Sequence, residues 1–154
     1  MKLDNVIIMV PFCRTIKEAT ETIKELNKFG LGKVKRYVMA EIPSNIILAD
    51  QFSKHFSGFS IGSNDLTQLT LGIDRNSELV ASSFNERDEA VKRLISMLIK
   101  TAHKHKRTVG ICGEAPSNYP EFAAFLVKEG IDSISVQTDA VFHTKLLVAK
   151  LEKK

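Results

Sequence analysis

Five short runs of apolar or β-branched residues alternate with longer segments in which apolar positions recur every three to four residues. The runs fall at residues 6–10, 34–39, 59–61, 108–111 and 133–136. Each is too short for a helix, and several are apolar almost without a break, as strands are when both faces of a parallel sheet are covered. The segments between them carry helix signatures. Thr15 with Glu18 three residues on forms a capping box, and Ile16, Ala19, Ile23 and Leu26 follow on one face until Gly30 stops the helix. Ser44 or Asn45 opens a shorter helix with Ile47, Leu48, Phe52 and Phe56. Val91, Leu94, Ile95, Leu98 and Ala102 form the clearest stripe, with Lys104, Lys106 and Arg107 at the negative end of its dipole. Ser117 begins a fourth helix with Phe122, Phe125 and Leu126 inward, and Asp139 caps a last one that runs into a Lys-rich terminus.

Strand–helix alternation repeated five times predicts an α/β domain with a parallel sheet, residues 1–154 forming one unit. A complete (β/α)8 barrel takes eight such units and typically ~250 residues. Five units in 154 residues therefore favour, on pattern alone, an open five-stranded sheet. Composition agrees with one globular domain: 44% of residues are apolar and 26% charged. The formal charge of +4 is spread along the chain and poor in interleaved aromatics, which argues against a nucleic-acid partner. No apolar run approaches the ~18 residues of a membrane span. The charged Met1–Asn5 start is not that of a signal peptide, and Cys13 and Cys112 make neither a metal spacing nor a disulfide framework. A reducing cytoplasm is the expected location.

In either architecture ligands gather beyond the carboxyl ends of the strands. The polar groups there are Cys13 and Arg14, Glu41, the Gly62-Ser63-Asn64-Asp65 turn, Cys112-Gly113-Glu114, and Gln137 to Asp139. Glu41 suits a hard cation such as Mg2+, or else pairs with Arg14 or Arg36 or sits in a solvated loop. Asp65 is a ligand, or an N-cap or Asx turn opening a helix at Leu66. Cys112 is an acid–base thiol with a tuned pKa, or a small core residue; Cys13, without acidic neighbours, reads as packing. Glu114 orients a catalytic group or pairs with Arg or backbone. His103 and His105 do not share a helix face and read as a solvated basic end. The Asn85–Asp88 stretch, with Glu86 and Arg87, reads as a helix start with local charge pairing.

These residues lie in stretches that resemble a known family. They are Val10 to Thr15, Met39 to Asn45, Gly58 to Arg75, Gly110 to Ser117 and Gly130 to Ser135. In this order they closely resemble the carboxyl-terminal pyruvate/phosphoenolpyruvate (PEP) domain of the phosphoenolpyruvate synthases (pyruvate, water dikinases), members of the PEP-utilising enzymes. Pyruvate phosphate dikinase and enzyme I of the sugar phosphotransferase system share the SND-type and CGE-type motifs. The Leu-Thr-Leu-Gly-Ile-Asp-Arg and Ala-Pro-Ser-Asn-Tyr-Pro-Glu-Phe runs resemble the synthases more.

The resemblance changes the expected fold to strands four to eight of a (β/α)8 barrel, incomplete in this chain. It implies that Glu41 and Asp65 hold Mg2+, that Gly62, Ser63, Asn64 and Asp65 bind pyruvate/PEP, and that Cys112 exchanges the methyl proton. The implied activity is phosphoryl transfer between a phosphohistidine and pyruvate enolate. Several family features do not occur in these residues: the Thr-Ser-His phosphohistidine signature, the domain that uses ATP, and strands one to three with their substrate-gripping arginines. Smaller departures are Cys13 for an aliphatic residue, Asn85 for an acid, and Gln137-Thr138 for Asn-Pro. The implied partners are a chain or domain supplying those parts, or a second copy of this chain. A catalytically incompetent remnant or an interaction protein is the contrasting reading, separable by whether a neighbouring gene encodes the absent parts.

Overall fold

A computed structural model describes residues 5–152. Five parallel strands, β1 (Ile7–Val10), β2 (Lys35–Ala40), β3 (Gly58–Ile61), β4 (Thr108–Ile111) and β5 (Ser133–Ile134), form one sheet in the order β1-β2-β3-β4-β5. The register pairs Val38 with Phe59, Phe59 with Val109, and Ile61 with Ile111. Every strand sits beside its sequence neighbour, so the order never reverses. Right-handed crossovers then place successive helices on one face, as in a barrel wall. A doubly wound sheet needs a reversal. The open sheet that pattern alone favours is therefore corrected, and the barrel expectation from the resemblance is borne out: the chain is an arc of a TIM-type barrel.

The helices are α1 (Ile16–Lys28), α2 (Pro43–Ile47), α3 (Ala49–Phe52), α4 (Ser63–Leu71), α5 (Glu89–Lys104), α6 (Ala115–Asn118), α7 (Pro120–Glu129) and α8 (Val141–Glu152). Alternate strand positions Val38, Ala40, Phe59, Ile61, Val109 and Ile111 are buried in a core with Phe52, Leu66, Ile95 and Leu98 of the helices. The other face is concave and more open. Ile7 and Met9 are exposed there, and Tyr37 crosses above Gly58 to hydrogen-bond Thr108. A Cβ on Gly58 would stand 2.6 Å from the Tyr37 ring, so the glycine is what lets the tyrosine lie across the sheet.

Several boundaries differ from the sequence reading, each for a local reason. The helix expected at Ser44 or Asn45 starts at Pro43, whose fixed φ suits a first helical turn, and it breaks at Leu48 into a second short piece. The helix expected from Ser117 likewise starts at Pro120, Ser117 lying within α6. The last strand ends at Ile134 rather than at residue 136. Asp139 lies in a 3-10 turn before α8, and the final two lysines are outside the described residues. Thr15 caps α1 as expected, its hydroxyl accepting from Glu18 N at 3.1 Å, while the Glu18 carboxylate accepts from Arg14 N at 2.7 Å.

Candidate functional site

The ends of β2, β3 and β4 bring their polar residues to one rim, because parallel pairing in consecutive order places the three βα turns side by side. Glu41 follows β2 directly and is 1% exposed. Its Oε1 accepts a 2.6 Å hydrogen bond from the Phe12 N–H at the end of β1. Phe12 holds a left-handed φ of 46°, so the β1 turn is strained and aimed at the carboxylate. Glu41 Oε2 lies over Gly62, where a Cβ would come within 3.0 Å of it. Neither arginine named for Glu41 in the sequence reading reaches it: Arg14 faces Glu18, and Arg36 donates to Asn27 and the Leu31 carbonyl. Burial pushes the Glu41 carboxyl above its usual range, the Phe12 N–H works against this, and the nearby Asp65 charge adds to it.

Gly62 caps α4, so the helix opens at Ser63 and Asp65 lies inside its first turn. The N-cap alternative for Asp65 is thereby corrected. Its carboxylate remains partly exposed at the positive end of the helix. Ser63 is fully buried and donates a 2.5 Å hydrogen bond to Glu86 Oε1. Asn64 is satisfied with its amide oxygen facing Arg75 Nη1 at 2.8 Å and its NH2 facing Glu86 Oε1 at 3.2 Å.

Cys112 is exposed at the end of β4, its Sγ 3.5 Å from the Ile61 carbonyl. The core-thiol alternative is corrected by this exposure. Cys13 is the buried cysteine, and desolvation pushes its thiol up to about 11, with Glu18 adding and Arg14 opposing. Gly113 sits so close to the neighbouring turn that a Cβ there would fall 1.6 Å from Ser63 Oγ. Of the remaining candidates, Glu114 is exposed in the turn after β4. His103 is not simply solvated: its Nε2 meets Asp132 Oδ2 at 2.9 Å, away from this rim.

Glu86 and Arg75 were not singled out as site residues from sequence. Glu86 is 6% exposed, and burial raises its carboxyl pKa against the Ser63 bond. The stretch does begin a helix, but Asp88 alone is the cap, accepting from Ala90 N at 2.8 Å. Arg87 pairs with Glu121 at 3.1 Å and stacks 3.9 Å from the Tyr119 ring. The available signal was the surplus: a helix start needs one capping acid, so the second acid had another destination. Arg75 returns to the rim because the left-handed turn at Gly72 ends α4 and reverses the chain.

A rim of this kind, on an arc of parallel βα units, defines a partial barrel domain whose polar groups gather at the carboxyl ends of its strands. The chain belongs to the PEP-utilising enzymes: the family model of their PEP-binding domain matches residues 1–153. It is 58% identical to the phosphoenolpyruvate synthase of Aquifex aeolicus over 158 aligned positions, covering 100% of this chain and 18% of that protein. It is 59% identical to the Synechocystis synthase (99% of this chain, 19% of that protein) and 51% identical to the Escherichia coli one (99% and 20%). The chain thus spans about a fifth of the length of these relatives. Two solved structures share the fold: RipC from Yersinia pestis and an HpcH/HpaI aldolase from Desulfitobacterium hafniense. Their TM-scores are 0.62 and 0.60, at 10% and 13% identity, each match covering 96% of this chain and 64% of the other.

Among the described residues no group of three or more His, Cys, Asp or Glu forms a metal cluster, and no helix is long and apolar enough to cross a membrane. The Glu41 environment nevertheless suits a hard cation. One oxygen is committed to a backbone N–H, the other has no protein donor among the described hydrogen bonds, and a second carboxylate raises the cost of its charge.

Proposed function

We propose that this chain is the pyruvate/PEP half-site of a phosphoenolpyruvate synthase. The observation that carries the reading is the convergence of Glu41, the Gly62–Asp65 turn and Cys112 on one rim, in a chain of this family. Glu41 and Asp65 would hold Mg2+, and its charge would stabilise an enolate oxygen. Gly62 keeps the backbone low beneath the Glu41 carboxylate, leaving room for a small substrate. Asn64 is fixed in the same turn by Arg75 and Glu86. Cys112, exposed beside these groups, takes a methyl proton from pyruvate as thiolate: the C–H bond breaks, an S–H bond forms, and the electron pair moves onto the carbonyl as enolate. The enolate oxygen then bonds to the phosphoryl group of a phosphohistidine as its N–P bond breaks. That histidine and the ATP-using machinery lie outside the 154 residues.

Mn2+ titration of the chain, followed by electron paramagnetic resonance, tests the reading, with oxalate as the enolate mimic. Oxalate should bind only after Mn2+, and Asp65→Ala should weaken Mn2+ binding by about tenfold or more. Unchanged Mn2+ affinity in Asp65→Ala would sink the metal assignment. In an assembled synthase, Cys112→Ser should abolish deuterium exchange into pyruvate while Mn2+ and oxalate still bind. Loss of oxalate binding would make Cys112 a structural residue.

A further inference from the structure

The buried Glu86 carboxylate is the most heavily used polar group near the rim, yet it lies on neither βα turn that carries the candidate site. It arrives from the segment before α5, 23 residues beyond Ser63. Both side chains that bind it donate to one oxygen, Oε1, Ser63 Oγ at 2.5 Å and the Asn64 amide NH2 at 3.2 Å, and the Ala115 backbone N–H and the Arg75 guanidinium also face the carboxylate. An ionised carboxylate accepts only, so it answers this set with no mismatched group, whereas a carboxamide would turn NH2 toward donors. The exposed acid in the same region, Glu114, is repelled by it rather than bound. Ser63 and Asn64 belong to the turn after β3, and Ala115 follows the Cys112-Gly113-Glu114 turn after β4. Gly113 brings those two turns into contact with no space for a side chain between them.

We propose that Glu86 is a positioning residue that clamps the β3–α4 turn to the β4–α6 turn, and so sets the placement of the Asn64 amide relative to the Cys112 thiol. The consequence for turnover rests on the half-site reading above; the clamp does not. Removing the carboxylate frees Ser63 and Asn64 of the first turn, and with Ser63 the contact that packs this turn on Gly113 of the second. The two turns then shift relative to each other although the sheet beneath is intact. A group that only filled the core would alter the stability of the domain and leave the reactivity of the exposed thiol unchanged.

The test is the iodoacetamide alkylation rate of Cys112 in the whole chain, at a temperature well below each variant's melting transition. The Cys112→Ser chain supplies the background from buried Cys13. Glu86→Gln should change the Cys112 rate at least threefold, and Ser63→Ala should change it in the same direction. The double variant should match Glu86→Gln alone, because both substitutions break one clamp. Glu86→Asp, which keeps the charge but withdraws it by one methylene, should lie between wild type and Glu86→Gln. If Glu86→Gln lacks a cooperative melt, Ser63→Ala and Glu86→Asp are read by the same criterion. Wild-type alkylation rates in the folded variants, or fully additive effects in the double variant, would overturn the clamp. Failure of the half-site reading shows separately, as absence of Mn2+-dependent oxalate binding by the wild-type chain whatever the alkylation result.

Discussion

Replacing Gly113 by alanine adds one methyl group at the tightest contact on the rim. The new Cβ would stand 1.6 Å from Ser63 Oγ, 2.8 Å from Ser63 Cβ and 3.1 Å from the Asn64 side-chain amide. No rotation of the Ser63 hydroxyl relieves the 2.8 Å contact, so backbone must move as well. Overpacking of this kind costs about 1–3 kcal/mol. Displacing Ser63 also breaks its bond to the buried Glu86 carboxylate, and hydrogen bonds to charged groups contribute about 1.5–3 kcal/mol. The sum is about 2.5–6 kcal/mol, a large share of the roughly 5–15 kcal/mol that holds a domain together. At this chain length each kcal/mol moves the melting midpoint by about 2–4 °C, so the midpoint should fall by roughly 10 °C. Gly30→Ala is the control: Gly30 has φ +76° but no neighbour within 4 Å of a new Cβ, so only backbone strain of about 1–2 kcal/mol applies. Thermal and urea melts of both variants measure the difference. Ser63→Gly should lower the wild-type midpoint yet raise that of Gly113→Ala, since it removes the two closest clashing atoms. A Gly113→Ala midpoint within about 2 °C of wild type would refute the packing argument.

Two further outcomes follow from groups away from the rim. Burial tends to raise the Asp132 pKa, but His103 Nε2 at 2.9 Å and the Val109 N–H at 2.7 Å outweigh it and hold the carboxyl below its usual range. The stability this contributes is therefore fully present above the ordinary carboxylate pKa and is lost as pH falls through the lower folded value. The midpoint gap between wild type and Asp132→Asn should be widest near neutrality and close in acid; a pH-independent gap would contradict it. The outer edges of β1 and β5 carry no partner strand among the described residues, Ile7 and Met9 are exposed on the concave face, and Phe142 is 70% exposed. The 17.2 kDa chain alone should therefore sediment as a self-associated species. A stable monomer would show that the edges are protected.

The alternation of five strand-like runs with helical stripes, the Thr15 cap and the Gly30 stop were legible without coordinates. Such features rest on interactions within one or two turns of chain, where spacing and residue type are sufficient information. The candidate rim residues were legible for a related reason, since a polar residue directly after a buried strand must lie at the strand's end. Strand order was not legible from the hydrophobic pattern, because five βα units fit both an open sheet and a barrel arc; the family resemblance pointed to the arc, and the unreversed pairing from β1 to β5 bears it out. Nor was the fate of the alternatives. Asp65 lies inside α4 because Gly62 takes the cap, and Cys112 is exposed while Cys13 is buried. The clearest case is Glu86, which stands among ordinary helix-start residues and gains its meaning from Ser63 and Ala115, both distant along the chain. A carboxylate's burial is set by which donors the fold brings around it, and those donors belong to two other strands' turns. Local sequence determined what each segment could become; tertiary packing decided which polar groups meet.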